Sequence, residues 1–377
     1  MMNMRGLYLH IPFCEHKCIY CDFYSIEQTD GIQSFVDNLR KEITMAAETI
    51  DEGLPFTSVF LGGGTPSLLT PAQLDDIVNM LHRSLFIAPD VEFTVETNPG
   101  TVDIEKLKAY KSIGVNRLSL GVQSFVSDDL EFLTRIHSVE DAERCYHNSR
   151  IAGFDNINID LMFSLPSHNR EQWFYNLRRT MELAPDHISA YSLTYEKGTP
   201  LHTMLQRNEV KPIDEELDAE LYELTIDTLE AVGYSQYEIS NYAKDGKECL
   251  HNRTYWEYYD YIGLGPSAHS FIEGKRYWNV KNLESYNRKI WGGVMPVAGE
   301  EKLTNDQRAE EEIFLGLRTK GVDLEKIKNF YNLDLLHRKT EEISSFSERG
   351  FLIIDNGILR LTKSGKAYAD WIASELM

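Results

Sequence analysis

Three cysteines near the start of the chain have the spacing of an iron–sulfur site. Cys14, Cys18 and Cys21 form the pattern C-x3-C-x2-C. Three thiolates can hold three irons of a four-iron, four-sulfur cluster, which leaves the fourth iron without a protein ligand. An external molecule can bind there, so the spacing predicts a cluster that takes part in chemistry rather than one that only stores electrons. The neighbouring aromatic residues would shield it from water and tune its potential.

Two other uses of these cysteines remain as alternatives. A zinc site could recruit His16 as a fourth ligand, but structural zinc sites usually draw four ligands from two separated pairs. A disulfide framework fits less well, because the chain has five cysteines, an odd number, and no secretory signal at its start. Cys145 lies in a predicted helix and is interpreted as an ordinary buried thiol.

A cluster with an open iron can chelate the amino and carboxylate groups of S-adenosylmethionine and reduce its sulfonium to release a 5′-deoxyadenosyl radical. The run Gly62-Gly63-Gly64 would let the backbone approach the methionine end of that cofactor closely. Glu96 could accept hydrogen bonds from its ammonium or ribose. The side chains expected to contact the ribose hydroxyls and the carboxylate are Gln123, Arg135 and Asp160.

The elements that must position these residues alternate along the chain. β-branched apolar runs predict strands over Gly6–Ile11, Ser58–Leu61, Val91–Glu96, Arg117–Gly121, Asn156–Leu161 and His187–Ser192. Helical periodicity predicts helices over Ile32–Ile50, Pro71–Leu85, Asp103–Ile113, Val139–Gly153 and Arg170–Leu183. Repeated strand–helix units indicate a parallel sheet with helical crossovers, either doubly wound or barrel-like.

The positions of the polar residues favour the barrel. The cysteine loop and Gly62–Thr65 follow the first two strands, and Glu96, Gln123 and Asp160 lie at or just beyond the ends of the next three. In an α/β barrel all the carboxyl ends of the strands share one face, and that face carries the active site.

The second half of the chain has a different pattern. Three helical stretches from about Leu303 precede two apolar runs, Phe351–Asp355 and Ile358–Leu361, and Asn356-Gly357 between them is a strong hairpin signal. We therefore predict a barrel domain over 1–235, a connecting segment over 236–300 and a winged-helix-like domain over 301–377. This last domain has 12 Lys/Arg and 14 Asp/Glu, which disfavours DNA binding.

Bulk composition limits the partners. The 377 residues carry a formal charge of −21, from 59 acids and 38 bases. This charge disfavours nonspecific binding to nucleic acid or to an anionic membrane. The sequence has no stretch long and apolar enough to span a membrane, and we predict a cytoplasmic, reduced protein.

Taken together, the motifs resemble a known family. H-I-P-F-C-x3-C-x-Y-C-D-F, G-G-G-T-P, V-E-x-N-P, G-V-Q-S-F and I-D-L-M-F-x-L-P are similar to the radical S-adenosylmethionine (SAM) family of the oxygen-independent coproporphyrinogen III oxidases and their HemW-type heme-chaperone relatives. The resemblance covers nearly the whole chain. It implies an α/β fold, a partial (β/α)6 TIM-type barrel followed by a small C-terminal helical, winged-helix-like domain.

The resemblance also assigns cofactor residues. It implies that Cys14, Cys18 and Cys21 hold the 4Fe–4S cluster. The residues that it places against SAM are Tyr8, Tyr20, Gly63, Gly64, Thr65, Glu96, Gln123, Arg135, Asp160 and, less directly, Thr194.

Two departures separate this chain from the oxidase branch. Phe23 stands where the oxidases continue to a fourth cysteine, and the first barrel strand begins near Gly6, where the oxidases have an N-terminal extension that helps to enclose substrate. In their place the segment 251–256 reads H-N-x-x-Y-W, similar to the heme-associated motif of the chaperone branch.

The H-N-x-x-Y-W segment has residues suited to heme. His251 is a candidate axial ligand, Tyr255 and Trp256 offer flat faces to the macrocycle, Arg253 could pair with a propionate, and Asn252 completes the motif. The alternative is that the histidine and the tryptophan simply pack. Cys249 is a rival ligand, and His269 is interpreted as structural.

The resemblance, with these residues, implies a heme chaperone that would bind heme, a 4Fe–4S cluster and SAM, and would deliver heme to acceptor hemoproteins such as membrane respiratory enzymes. The alternative is oxygen-independent oxidative decarboxylation of coproporphyrinogen III to protoporphyrinogen IX. A further expected partner is an electron donor. Nucleic acid is not expected as a partner, and a homodimer is compatible with the sequence.

Overall fold

The computed structural model describes residues 4–50 and 53–377, so the first three residues of the predicted barrel domain lie outside the described residues. The first strands are β1 (Gly6–Ile11), β2 (Phe56–Gly63), β3 (Ile87–Thr97), β4 (Arg117–Gln123), β5 (Ile157–Phe163) and β6 (His187–Ser192). The helices among them are α1 (Ile32–Ala47), α2 (Pro71–Ser84), α3 (Ile104–Ile113), α4 (Ser127–Phe132), α5 (Val139–Ile151) and α6 (Arg170–Leu183), with a 3-10 turn at Pro66–Leu68.

The middle of the chain mixes short strands and helices. Its helices are α7 (Pro200–Gln206), α8 (Glu215–Glu230), α9 (Leu250–Trp256) and α10 (Leu283–Trp291). Its strands are β7 (Ser235–Gln236), β8 (Asn241–Ala243), β9 (Tyr261–Leu264), β10 (His269–Ile272), β11 (Lys275–Asn279) and β12 (Val297–Lys302).

The C-terminal part is mainly helical. Its helices are α11 (Asn305–Leu317), α12 (Leu324–Tyr331), α13 (Leu335–Arg338), α14 (Thr340–Glu348), α15 (Lys363–Lys366) and α16 (Ala369–Leu376). Its strands are β13 (Val322–Asp323), β14 (Leu352–Asp355) and β15 (Ile358–Leu361).

Strands β1 to β6 lie side by side in chain order, and each pairs in parallel with the next. Helices connect every consecutive pair, because parallel neighbours need a long crossover connection, which is usually a helix. The strand order is linear, so the sheet is an open, partial (β/α)6 barrel. The predicted fold class is confirmed.

Alternation along the strands separates the core from the barrel interior. In β1, Leu7, Leu9 and Ile11 are fully buried against the helices, whereas Tyr8 and His10 point to the other face, as the period of two demands. The same alternation recurs in β3, β4 and β5. The interior therefore carries hydroxyls, carboxylates, imidazoles and amides, which is the lining of a polar ligand site and not of a packed core.

The segment 236–300 is built into the sheet on both sides. Strand β8 pairs antiparallel with β6, and β9 pairs in parallel with β1 and is followed outward by β10, β11 and β12. Glu42 of α1 ties this segment down by accepting hydrogen bonds from Tyr286 Oη at 2.6 Å, Asn279 Nδ2 at 2.7 Å and the backbone N–H of Gly265 at 2.8 Å. The predicted boundaries at 235/236 and 300/301 stay predictions.

The C-terminal helices have a hydrophobic core of their own, made by α11, α12, α14 and α16 around a three-stranded sheet in the order β13–β15–β14. Asn356 (φ +50°) and Gly357 (φ +79°) both adopt the left-handed conformation at the β14–β15 turn. That pair of angles is what a two-residue type I′ hairpin needs, so the hairpin predicted from Asn-Gly is confirmed.

One detail of the site residues differs from expectation. The sequence pattern predicts Asp160 at the end of the fifth strand, but β5 continues to Phe163, so Asp160 lies in mid-strand and faces the interior. Its carboxylate is therefore deeper in the barrel than Gln123, which does end β4. Within the described ranges, no helix is long and apolar enough to cross a membrane.

Candidate functional site

The cysteine loop leaves β1 at the carboxyl-end face of the barrel and is fixed by its neighbours. Cys14 N donates to Ile26 O at 2.9 Å, and Ile26 N donates to Pro12 O at 2.7 Å, so the loop closes on itself. Phe13 beneath it is fully buried and packs edge-on against Phe35 with ring centroids 5.4 Å apart. The loop is thus anchored at its base while its thiols face the barrel mouth.

The three thiols lie among groups that suit a cluster. Cys14 and Cys18 are each only 8% exposed, and all three cysteines are free. Thr65 Oγ1 contacts Cys14 Sγ at 3.5 Å, and Arg135 Nη1 contacts Cys18 Sγ at 3.5 Å. Burial raises the pKa of Cys21 to about 11, so iron binding there must displace a proton.

The glycine run forms a cradle beside this loop. A Cβ on Gly64 would meet the carbonyl oxygens of Phe13 at 2.6 Å and Ile11 at 2.7 Å. Gly63 has φ +104°, and a Cβ there would meet the His10 ring at 2.4 Å. Only glycine lets the two backbone segments approach this closely.

Two carboxylates lie below the cradle. Glu96 accepts a hydrogen bond from Gly63 N–H at 3.1 Å. Asp160 accepts from Asn158 Nδ2 at 2.7 Å and from Ser119 Oγ at 3.1 Å. Burial inside the barrel, together with the nearby charge of Asp160, raises the pKa of Glu96 to about 8. A cationic ligand would offset this cost, as the ammonium of SAM can.

The predicted cofactor residues converge, with one exception. Tyr20 and Gln123 lie beside Arg135, and Tyr8 projects into the interior, where its hydroxyl bonds His10 Nδ1 at 3.0 Å. Thr194 follows β6 but is exposed, and it makes no hydrogen bond within the described part of the chain.

Asn98 is a site residue that the sequence reasoning missed. Its Nδ2 donates to Thr65 Oγ1 at 2.9 Å, and its Oδ1 accepts from Arg135 Nη2 at 2.8 Å. Asn98 thereby links Thr65, which contacts Cys14, to Arg135, which contacts Cys18. The signal was present, because Asn98 is the asparagine of the V-E-x-N-P motif, but only Glu96 of that motif has a predicted role.

The H-N-x-x-Y-W segment forms the short helix α9, which closes the opposite end of the barrel. His251 is 1% exposed; its Nδ1 is 3.0 Å from Ser58 Oγ and its Nε2 is 2.8 Å from Tyr255 Oη. The ring also stacks on Phe60, with centroids 5.0 Å apart. Burial, and secondarily the charge of Arg117, lowers the pKa of His251 to about 3, so the ring is neutral.

Glu92 of β3 caps this helix. Its carboxylate accepts from the backbone N–H groups of Leu250 and His251, both at 3.1 Å, and lies 3.5 Å from Cys249 Sγ. Cys249 is fully buried, and burial raises the pKa of its thiol to about 12. Neither His251 nor Cys249 is therefore available to an iron atom while α9 stays in this position.

The other side of α9 faces outward. Arg253 and Trp256 line a cleft between this helix and the C-terminal helices, whereas His251 and Tyr255, four residues apart, share the inner face. Asn252 is half-buried between these two faces. The structure thus divides the predicted heme residues into an anchoring pair and a cleft-lining pair.

Comparison with known proteins decides the family. The model of the Radical SAM superfamily matches residues 8–177, and the model of the HemN C-terminal domain matches residues 303–368. Heme chaperone HemW of Bacillus subtilis (strain 168) is 38% identical over 368 residues, which cover 96% of each chain. Heme chaperone HemW of Escherichia coli (strain K12) is 39% identical over 273 residues, 71% of this chain and 70% of the relative.

The chain belongs to the HemW family. The radical S-adenosyl methionine domain-containing protein 1, mitochondrial, of Mus musculus is 32% identical over 392 residues, covering 99% of this HemW-family chain and 87% of the relative. Among solved structures, coproporphyrinogen III oxidase (HemN) from Escherichia coli superposes with a TM-score of 0.85 over 99% of this chain and 90% of the other. Its sequence identity is 23%, so this likeness concerns the fold.

Membership in the radical SAM superfamily implies a 4Fe–4S cluster and SAM, and the residues of this HemW-family chain fit both. Arg135 Nε is buried and has no hydrogen-bond partner among the described residues, so a polar group of a bound cofactor could satisfy it. Within residues 4–50 and 53–377, no group of three or more His, Cys, Asp or Glu side chains is arranged to hold a single metal ion. His16 pairs with Glu27 at 3.4 Å, which gives the zinc alternative no support.

Proposed function

We propose that this HemW-family chain binds heme and hands it to heme-requiring acceptor proteins, with a 4Fe–4S cluster and SAM held at the carboxyl-end face of the barrel. The observation that carries the proposal is similarity to proteins named heme chaperone HemW along almost the whole chain, 96% of it in the Bacillus subtilis case. The two cleft-lining residues of the H-N-x-x-Y-W segment, Arg253 and Trp256, support it.

The chain's own residues would bind and orient the cofactors. The three thiols would hold the cluster; Gly63, Gly64, Glu96 and Arg135 would hold SAM. When bound, the cluster and SAM supply one-electron chemistry or a ligand-dependent conformational signal. Thr65, Asn98 and Arg135 form a hydrogen-bonded bridge between Cys14 and Cys18. The positions of these three side chains would therefore depend on whether the cluster and SAM are both bound.

The partners follow from the same proposal. They are heme, acceptor hemoproteins such as membrane respiratory enzymes, an electron donor and a second copy of the chain in a homodimer. We propose a cytoplasmic location, which the free thiols at positions 14, 18, 21, 145 and 249 support, since thiols persist in a reducing compartment. The net charge of −21 argues against nucleic acid as a partner.

The alternative function, decarboxylation of coproporphyrinogen III, has less support from the barrel interior. A substrate with four propionates would need several cations there. The interior face of the strands instead presents Glu92, Glu96 and Asp160 with Arg117 as a buried cation among them. Phe23 stands 62% exposed at the position where the oxidases carry a further cysteine.

One anaerobic experiment separates the two functions. The cluster is reconstituted, and one aliquot receives hemin while another receives coproporphyrinogen III, SAM and a reductant. We expect stoichiometric heme binding with a shifted Soret band, transfer of that heme to an apo-hemoprotein, and no vinyl product. Repeated turnover with release of carbon dioxide would replace the chaperone by the oxidase.

A further inference from the structure

A cleft of about 340 Å³ separates α9 and the turn after it from α11, α12 and the loop between them. Its volume is at the low end of the range of roughly 300–1,000 Å³ that small-molecule sites occupy. A flat macrocycle would be covered only in part, and its exposed edge would remain open to a second protein.

The charges of the cleft are mostly paired within the protein. Arg253 bonds Glu257 at 2.8 Å and lies 3.2 Å from Glu248. Lys326 pairs with Glu312, and Asp323 accepts from the backbone N–H of Lys326 at 2.9 Å to cap α12.

Lys320 is the cation of the cleft that has no carboxylate partner among the described residues. Four carboxylates (Glu248, Glu257, Glu312 and Asp323) and three cations (Arg253, Lys320 and Lys326) line the cleft, and Lys320 is left to pair with an anionic group of a ligand.

The tyrosines of the cleft differ in the state of their hydroxyls. Tyr237 Oη bonds His187 Nε2 at 2.8 Å, and Tyr258 Oη donates to Glu311 at 2.9 Å. The hydroxyl of Tyr259 has no hydrogen bond to any residue that the structure describes. Tyr259 is therefore the tyrosine whose oxygen is available to a ligand in the cleft.

Arg253 lies within electrostatic reach of that oxygen. The pKa of Arg253 is raised first by its hydrogen bond to Glu257 and further by Glu248 and Tyr259. Tyrosine is one of the residues that hold heme iron in proteins, and it does so as the phenolate.

We propose that Tyr259, and not His251, is the axial ligand of ferric heme, which binds in the cleft between α9 and the C-terminal helices. The inference rests on the proposed function and deepens it. The Tyr259 hydroxyl loses its proton to solvent as its oxygen bonds the ferric iron and displaces the water or chloride of free hemin; no electron is transferred. Trp256 lies against the macrocycle, and Lys320 pairs with a propionate.

In this arrangement His251 is a positioning residue. Its Nδ1 contacts Ser58 and its ring stacks on Phe60, so the imidazole holds α9 to β2 and keeps Arg253 and Trp256 in the wall of the cleft. Loss of the imidazole would weaken heme binding by moving the wall, but the spectrum of the heme that still binds would keep its phenolate character.

The test uses the full chain with its cluster reconstituted, loaded with one equivalent of hemin. Resonance Raman spectroscopy, excited in the charge-transfer band, detects the modes of an iron-bound phenolate, and electron paramagnetic resonance reports a high-spin ferric centre. Tyr259→Phe keeps the ring but removes the oxygen, and Tyr258→Phe is its matched control. We expect Tyr259→Phe to lose the phenolate modes and about tenfold in affinity, and Tyr258→Phe and His251→Gln to retain the modes.

The possible results distinguish a failure of the Tyr259 assignment from a failure of the proposed function. Wild-type protein that binds one heme and shows imidazole ligation, or phenolate modes that persist in Tyr259→Phe, overturns the Tyr259 assignment while the chaperone proposal stands. Wild-type protein that binds no heme overturns both. The wild-type Raman spectrum alone decides the ligand type, so the test does not depend on how well any variant folds.

Discussion

At the scale of single residues, Glu96 links the proton content of the protein to its cofactor site. Its pKa is raised from the usual 4.5 to about 8, first by burial and then by the charge of Asp160. A folded-state pKa above the unfolded one means that the native state holds the proton more tightly. The stability that this gives is complete below pH about 4.5 and is lost as the pH rises to about 8.

The first prediction follows from this loss of stability with rising pH. Without SAM, Glu96→Gln should unfold at the same urea concentration as wild type near pH about 5 and at a higher one near pH about 8, because the amide cannot ionise. Circular dichroism of the anaerobic apoprotein measures both midpoints. The exposed Glu131→Gln on α4 is the control and should follow wild type at each pH. A pH-independent difference between Glu96→Gln and wild type would contradict the assigned burial cost.

The second prediction concerns the glycine cradle. Gly64→Ala should lose most of its cluster after reconstitution, because the new Cβ would push against the carbonyls of Phe13 and Ile11 and move Cys14. Iron and sulfide content, with the visible absorption of the cluster, measures the loss.

The control for the cradle is another glycine with open space around it. Gly31, at the start of α1, has φ −84°, and a Cβ added there would meet no described atom within 4 Å. Gly31→Ala should therefore load iron as wild type does. Equal loading of both variants would show that the close approach at Gly64 does not position the cysteine loop.

Residue types and spacing were enough to predict a cofactor site at the carboxyl ends of the strands, and the structure brings most of the predicted residues together there. Thr65 contacts Cys14, Arg135 contacts Cys18, and Asn98 joins Thr65 to Arg135. The role of His251 could not be predicted from the local sequence. Its ring points inward because α9 docks on Ser58 and Phe60, and that contact joins residues almost two hundred positions apart.

At the scale of elements, the strand–helix repeat was readable because each strand has a fully buried apolar face. The short strands of the segment 236–300 were not readable: β7 and β8 have two and three residues, which is too few for a period of two to emerge. Their place in the sheet comes from edge pairing, of β8 with β6 and of β7 with β8, and not from any pattern of their own.

Helix α9 illustrates an element held by tertiary contacts. It has seven residues, which is too short to be stable alone, and its N-terminal N–H groups are satisfied by Glu92 from another strand. A carboxylate at that end also interacts favourably with the helix dipole.

The third prediction follows from that cap. Glu92→Ala should cost roughly 1–3 kcal/mol of stability, since it leaves two buried N–H groups without an acceptor. Hydrogen exchange of residues 250–256 should rise. Asp214→Ala, which removes a solvent-exposed cap from α8, is the matched control. It should cost about 1 kcal/mol and leave exchange in α9 unchanged; the reverse ranking would mean that Glu92 does not hold the helix.

At the scale of the whole molecule, the proposed heme cleft exists only because two bodies of the protein meet. One wall belongs to the helix that closes the barrel, and the other belongs to the helices with their own core. Glu311 on α11 joins them. It forms an ion pair with Arg276 of β11, with Nη1 at 2.6 Å and a hydrogen bond from Nη2 at 2.8 Å, and it accepts a hydrogen bond from Tyr258 at 2.9 Å.

The fourth prediction tests whether this junction sets the width of the cleft. Glu311→Ala removes a two-pronged ion pair and a tyrosine hydrogen bond, so the C-terminal helices should separate from β11 and heme affinity should fall by about tenfold. Titration of hemin into reconstituted protein measures the affinity. Cluster content should be unchanged, because the cysteine loop lies at the opposite end of the barrel from α9.

The control is Glu310→Ala, next to Glu311 on α11. Glu310 makes no ion pair or hydrogen bond through its side chain in the described part of the chain. Heme affinity equal in both variants would place the binding site away from the junction between the two bodies.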